Sequence, residues 1–132
     1  MVNNFRTKPI PEVFPLIHNE ERPWGVMRQF VHNAECTVNI LTVKPHMRLS
    51  LQSHTARSEH WIVLDDHTQI QIGDSIREYR CGQEVWIPVG EKHRLANVGE
   101  IPIRILEITY GNWQQADIHR LEDDFNRPEQ GE

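Results

Sequence analysis

The chain has 132 residues, enough for about one domain with a closed hydrophobic core. With 38% hydrophobic and 25% charged residues, 8 prolines and 7 glycines, its composition excludes disorder, collagen and low complexity. The 14 Lys and Arg against 19 Asp and Glu leave a net charge of −5, and no apolar run approaches the roughly 18 residues of a membrane helix, so neither nucleic acid nor membrane is an expected partner.

Residues 1–21 read as an N-terminal arm, with Pro9, Pro11 and Pro15 and little periodicity, lying across the domain or reaching a partner. Their start has no apolar stretch after its charges and is not expected to be a secretory signal. Cys36 and Cys81 stand far apart and outside any CxxC, as free thiols of a cytoplasmic protein would. From Trp24 to Tyr110 the pattern is of short strands: Thr37 to Val43, Arg48 to His54, His60 to Leu64, His67 to Ile72, Glu84 to Ile87 and Ile101 to Ile108. Turn signals separate them at Asp65-Asp66, Gly73-Asp74, Cys81-Gly82, Val89-Gly90 and Val98-Gly99. Many short strands without a long amphipathic helix predict an antiparallel sandwich or small barrel. Asp117 to Asp124 is expected to form a short helix, and residues 128–132 an acidic, frayed tail. Trp24, Trp61 and Trp86 are expected in the core or a cavity wall, and His18, His32, His67 and His119 in solvent.

Alternation at period two assigns faces. Arg48, Ser50, Gln52 and His54 share one face, with Met47, Leu49, Leu51 and Ser53 on the other. In the next strand Arg57, Glu59, Trp61 and Val63 point one way, and His60, Ile62 and Leu64 the other. Two adjacent strands thus present Gln52, His54 and Glu59 at the spacing Q-x-H-x4-E. A second stretch, Gly82 to Asn97, fits G-x5-P-x-G-x2-H-x3-N, its Pro88-Val89-Gly90 turn delivering His93 to a strand. Two imidazoles, a carboxylate and an amide oxygen form a four-ligand set for a divalent metal at about 2.0–2.2 Å. Such a mixed nitrogen and oxygen set does not select among Zn, Mn, Co, Fe and Ni.

These stretches resemble the two motifs of the cupin superfamily. Arg22-Pro23-Trp24-Gly25, Val43-Lys44-Pro45, the run Leu49-Ser50-Leu51-Gln52-x-His54-x-x-Arg57-Ser58-Glu59-His60-Trp61, and Ile87-Pro88-x-Gly90-x-x-His93-Arg94-Leu95-x-Asn97 are similar to the type II mannose-6-phosphate isomerase domain. That domain forms the C-terminus of bifunctional mannose-1-phosphate guanylyltransferases; here it would stand alone. Leu106-Glu107-Ile108, Gly111, Asp117-Ile118 and Arg120-Leu121-Glu122-Asp123 extend the similarity, which runs from about Arg22 to Arg127. Departures lie at Pro45-His46 (usually Pro-Gly), at Asp65-Asp66 (usually Ser-Gly), at Thr109 and Trp113, and in a segment before Asp117 one residue shorter.

The resemblance implies an all-β fold, the cupin double-stranded β-helix or jelly-roll barrel. It implies a metal-dependent aldose–ketose isomerase, mannose 6-phosphate to fructose 6-phosphate through an enediol, with the metal on Gln52, His54, Glu59 and His93. Arg57 would act as bidentate partner of a phosphate or oxyanion, with Arg48 and Arg94 as further substrate-binding residues. Glu107, a carboxylate in an otherwise apolar strand, would be the base, with Lys44 and His60 as alternatives. His46 is at a turn near the first motif. The same scaffold also admits an oxygenase, lyase or epimerase, or a non-catalytic module binding a sugar or small metabolite. The expected partners are a small-molecule sugar phosphate and, through a sheet edge, a second copy in a homodimer.

Overall fold

A computed structural model describes residues 16–131; the proline-bearing part of the arm, with Pro9, Pro11 and Pro15, lies outside the described residues. Among the described residues the strands, in order, are β1 His18–Arg22, β2 Gly25–Gln29, β3 Thr37–Val43, β4 Leu51–Ser53, β5 Arg57–Val63, β6 Thr68–Ile72, β7 Ser75–Tyr79, β8 Glu84–Ile87, β9 His93–Asn97, β10 Ile103–Gly111 and β11 His119–Glu122. A single 3-10 turn covers Gln115–Asp117, and no helix is long and apolar enough to cross a membrane. All pairings are antiparallel. One sheet runs β3-β10-β5-β8, a second β11-β4-β9-β6-β7, and β1 and β2 form a separate hairpin.

Between the two larger sheets sits the core of Val43, Trp61, Val63, Val85, Ile87, Ile103 and Ile105 against Ile70 and Leu95. These are β-branched and aromatic side chains at alternate positions, the pattern that fits a pleated half-buried surface. Register decides what else faces inward. On the first sheet Glu107 lies across from Asn39 and Trp61, and Glu59 across from Thr109 and Ile87. On the second, His93 lies across from Gln52 and Ile72. Directly opposed residues share a face, so the inner surface is polar at one end, around Glu59, Glu107 and His93, and apolar at the other.

Several expectations are corrected. Asp117 to Asp124 is not a helix: one 3-10 turn ends at Asp117, and β11 then pairs with β4, burying Ile118 and Arg120 while His119 and Leu121 face outward. The alternation of that segment satisfies the free edge of β4, which a helix would leave unpaired. The tail folds back, with the Gly131 amide donating to the Ile118 carbonyl at 2.9 Å and the Arg120 amide to the Glu129 carbonyl. The arm's last residues, 18–21, belong to strand β1, His18–Arg22, rather than to irregular chain. Trp24, at the hairpin turn, is 74% exposed, whereas Trp61 is core and Trp86 packs half-buried beside His60 and Tyr110. Cys36 and Cys81 are free thiols.

Candidate metal centre

The first motif is carried on β4, a three-residue turn and β5; the second is delivered by the Pro88–Gly90 turn to β9. Gly90 adopts φ +83°, a left-handed conformation that glycine takes without steric cost, and its amide donates to the His54 carbonyl at 2.8 Å. The two motifs are thereby tied together where their ligands meet. His54 Nε2 lies 2.9 Å and His93 Nε2 3.9 Å from Glu59 Oε1. Potential ligand atoms of His54, Glu59 and His93 all fall within 4.8 Å of one another, and all three residues are buried. The imidazole centroids are 4.9 Å apart.

Surrounding groups orient these side chains. His93 Nδ1 lies 2.9 Å from the Glu91 carbonyl, an arrangement in which Nδ1–H donates and Nε2 keeps its lone pair. Nε2 of His93 and Nδ1 of His54 are buried polar atoms without a hydrogen-bond partner among the described residues. Trp61 Nε1 donates to Glu59 Oε2 at 2.7 Å, and Arg57 Nε to Glu59 Oε1 at 3.5 Å. Burial pushes the Glu59 carboxyl up, but hydrogen bonds from His54 and Glu107 and the nearby imidazoles outweigh it and hold the group well below the usual carboxylate range. Burial pushes His93 down, towards its neutral form. A carboxylate beside two buried imidazoles, each with an unpaired nitrogen, fits a divalent cation by the chemistry of its donors.

Beside the cluster opens a cavity of about 160 Å³ lined by Gln52, Arg57, Glu107, Trp113, Arg120 and Arg127 among others. Glu107 is raised to about 8 by burial and by sharing a hydrogen bond with Glu59, against which Asn39 Nδ2 donates to it at 3.1 Å. Arg57 has its guanidinium 5.1 Å from the Trp113 ring, 3.3 Å from His54 Nε2, and donating to the Gln114 carbonyl at 3.1 Å. A larger cavity of about 660 Å³ lies between the β1–β2 hairpin and the outer side of β5 and β8, lined by Arg28, Phe30, Ile62 and Glu84 among others. His54, Glu59 and His93 line neither cavity, but Arg57 of the smaller one donates to Glu59. The smaller cavity is where convergent polar groups meet the perturbed Glu107 carboxyl.

Of the nominated ligands, His54, Glu59 and His93 converge, and Gln52 stands opposite His93 with its amide oxygen accepting from the Ser50 hydroxyl at 2.9 Å. Arg57 and Glu107 line the adjacent cavity with Gln52, and both interact with Glu59. Arg48 does not. It pairs opposite Ala96, whereas Gln52 pairs opposite His93, so the register slips by one residue between them and Arg48 falls on the other face. There it binds Asp124 at 2.8 and 3.0 Å. Arg94, one residue after His93, likewise faces away and ties down the Leu49 carbonyl at 2.9 Å and Glu122 at 3.5 Å. Lys44 is exposed beyond the end of β3, five residues from Asn39 and so about 17 Å along the strand from the position facing Glu107. His60 points to the outer side, 2.5 Å from Glu84, and His46 pairs at the surface with Glu100 at 3.0 Å. Arg120 and Arg127 also line the cavity, though the sequence assigns neither a role there; the place of Arg120 among the residues that carry the resemblance is the signal that could have found the first.

The sequence profile of the family described as Mannose-6-phosphate isomerase C-terminal matches residues 15–123. Among curated proteins, the chain is 41% identical over 107 residues to the alginate biosynthesis protein AlgA of Pseudomonas aeruginosa, covering 80% of this chain and 22% of that protein. It is 36% identical over 107 residues to a mannose-1-phosphate guanylyltransferase of Klebsiella pneumoniae, covering 80% of this chain and 23% of that protein. The chain therefore spans less than a quarter of the length of these relatives. Among solved structures, the capsular polysaccharide assembling protein CapF of Staphylococcus aureus superposes with TM-score 0.58 at 22% identity, over 80% of this chain and 34% of CapF. A cupin 2 conserved barrel domain protein of Rhodopseudomonas palustris gives 0.56 at 18% identity, over 62% of this chain and 56% of that one. The fold is the double-stranded β-helix of the cupins.

Proposed function

The chain belongs to the mannose-6-phosphate isomerase C-terminal family, and from that premise we propose that it is a metal-dependent aldose–ketose isomerase on a phosphorylated sugar, converting mannose 6-phosphate to fructose 6-phosphate. The observation that carries the proposal is the convergence of buried His54, Glu59 and His93 beside a cavity lined by Gln52, Arg57, Glu107, Arg120 and Arg127.

Interconversion of an aldose and a ketose moves a proton between C2 and C1 and a second between the two oxygens. A divalent ion held by His54, Glu59 and His93, with Gln52 beside them, would supply Lewis-acid polarisation of those oxygens. Arg57 supplies a cationic fork suited to a phosphate; Arg120 and Arg127 also line the cavity, with Arg120 Nη1 donating to the Pro128 carbonyl at 3.0 Å and Arg127 forked on Asp123 at 2.9 and 3.0 Å. Glu107 is the carboxyl of the cavity outside the ligand set. In this reading it takes the proton from C2 as a carboxylate and returns it to C1 as an acid. The proposed form is a homodimer, supported by Val38 and Ile40 lying exposed on the edge strand β3.

A coupled assay for fructose 6-phosphate, with the purified chain loaded in turn with Mn, Co or Zn, tests the reaction. Turnover that disappears in Glu107→Gln while bound metal persists supports the assignment. A metal-loaded protein that forms no fructose 6-phosphate overturns the assignment, and an iron-loaded one that consumes oxygen replaces it with another reaction on the same scaffold.

A further inference from the structure

We infer that Asp117 is a positioning residue for the turn from His54 to Arg57, its carboxylate setting how tightly the His54–Glu59–His93 cluster holds a divalent cation. This rests on the reading of that cluster as a metal site.

The turn is short. His54, Thr55 and Ala56 must carry the chain from the end of β4 to the start of β5 while presenting His54 at one end and Arg57 at the other. Its carbonyls are taken by backbone: Gly90 N donates to His54 O at 2.8 Å and Asn112 N to Ala56 O at 3.0 Å. Its amide donors go to one side chain instead. Thr55 N lies 3.0 Å from Asp117 Oδ1 and 3.2 Å from Oδ2, Ala56 N lies 2.9 Å from Oδ2, and the Thr55 hydroxyl donates to Oδ1 at 2.5 Å.

Asp117 is itself anchored from behind. Its amide donates to the Gln114 carbonyl at 3.0 Å, closing the 3-10 turn, and that same carbonyl accepts from Arg57 Nη1 at 3.1 Å. The segment from Trp113 to Asp117 thus grips both the backbone of the turn and the guanidinium at its end. Close packing leaves little slack, since a Cβ at Gly111 would overlap the Ala56 carbonyl.

The demand is for a carboxylate. Three donors converge on two oxygens, and a carboxylate is acceptor-only, whereas an asparagine would turn an NH2 against one of the amides. Metal ligands tolerate displacements of only about 0.2 Å. A turn released at Thr55 and Ala56 therefore weakens the cation through His54 without any change in a ligand.

The test is titration of the full chain with Mn2+ or Zn2+ alone, by calorimetry or chelator competition. Wild type, Asp117→Asn, Thr55→Ser and His93→Ala are compared, with circular dichroism of each metal-free protein. The expected result is a metal affinity about tenfold weaker in folded Asp117→Asn, the lower range for residues that orient ligands. Thr55→Ser, which keeps the hydroxyl, stays within twofold of wild type. Affinity in Asp117→Asn within twofold of a tightly binding wild type overturns the inference and leaves the metal site standing. A wild type that binds no more metal than His93→Ala removes the metal site itself. If Asp117→Asn does not fold, Thr55→Val, lacking one of the three donors, decides: a threefold or larger loss supports the inference and unchanged affinity overturns it.

Discussion

Replacing His93 by alanine separates a metal ligand from a buried core histidine. The side chain is 1% exposed and makes one hydrogen bond, at 2.9 Å to the Glu91 carbonyl. Truncation leaves a hole and an orphaned carbonyl, together costing about 2–4 kcal/mol in the metal-free protein. The effect on metal is separate. Residues that merely orient ligands change metal affinity about 10–100-fold, so loss of a direct ligand is expected to cost about 100-fold or more, which is roughly 2.7 kcal/mol. At free metal of about 100 times the wild-type dissociation constant, binding stabilises wild type by roughly 2.7 kcal/mol and His93→Ala by only about 0.4 kcal/mol. For a domain of this size that corresponds to a metal-induced rise in Tm of about 8–13 °C against about 1–2 °C. Differential scanning calorimetry with and without Mn2+ or Zn2+, alongside elemental analysis of the purified proteins, measures both quantities. A metal-induced rise in His93→Ala equal to that of wild type refutes the ligand assignment, whatever the variant's own stability.

Arg57→Lys should retain bound metal but raise KM for the sugar phosphate by roughly tenfold or more, because an ammonium cannot reproduce a bidentate fork stacked on Trp113; steady-state kinetics with metal analysis checks both. Lys44→Ala, at an exposed position away from the cavity, should change neither metal content nor turnover beyond twofold in the same assays. Leu95→Ala, at a fully buried core position, should lower unfolding free energy by about 2–5 kcal/mol in urea while the remaining folded protein still binds metal. Asp117 is held down at about 2: burial pushes it up, but the Thr55 and Ala56 donors and the Arg57 charge outweigh that. A carboxyl depressed in the fold contributes stability that is fully present above its unfolded value of about 3.9 and lost as pH falls towards 2. The urea midpoint of wild type should therefore fall over that window more steeply than that of Asp117→Asn, and parallel curves would contradict the sign.

The strands that bear the site were legible because period two survives inside them. Arg57, Glu59, Trp61 and Val63 alternate without interruption along β5, so their shared face follows from parity alone. Parity failed at Arg48, because the one-residue slip between the Arg48–Ala96 and Gln52–His93 pairings is a property of two strands together and leaves no mark on either sequence. For a similar reason β11 was hidden. The segment from Asp117 to Asp124 is short and charged, and its strand state is set by the edge of β4 some 65 residues earlier rather than by local propensity. The hairpin strand His18–Arg22 has four polar or charged side chains facing solvent, so no apolar alternation announces it. Arg120 and Arg127 reach the cavity only because that late strand closes over it.

The location of the site follows from the division of labour along the barrel. At one end the inward positions are Val43, Ile103, Ile105 and Val63, which release apolar surface from water and make no demand for partners. At the other, the same strands turn Asn39, Glu59, Glu107 and Thr109 inward, groups whose burial is costly unless each finds a donor or a charge. Trp61 stands at the boundary, its ring in the core and its Nε1–H on Glu59. Placed between the two, it fixes one carboxylate oxygen and leaves the other directed at His54, Arg57 and His93. Were a cation to bind there, side chains held this way would need little ordering, and its binding energy would go to affinity rather than to arranging the site. Removing the indole donor tests that directly. Trp61→Phe keeps the ring in the core but frees Glu59 Oε2, and it should weaken metal binding by several-fold with a smaller proportional change in folding stability than Leu95→Ala; metal affinity unchanged in that variant would show that Glu59 is held by its other partners alone.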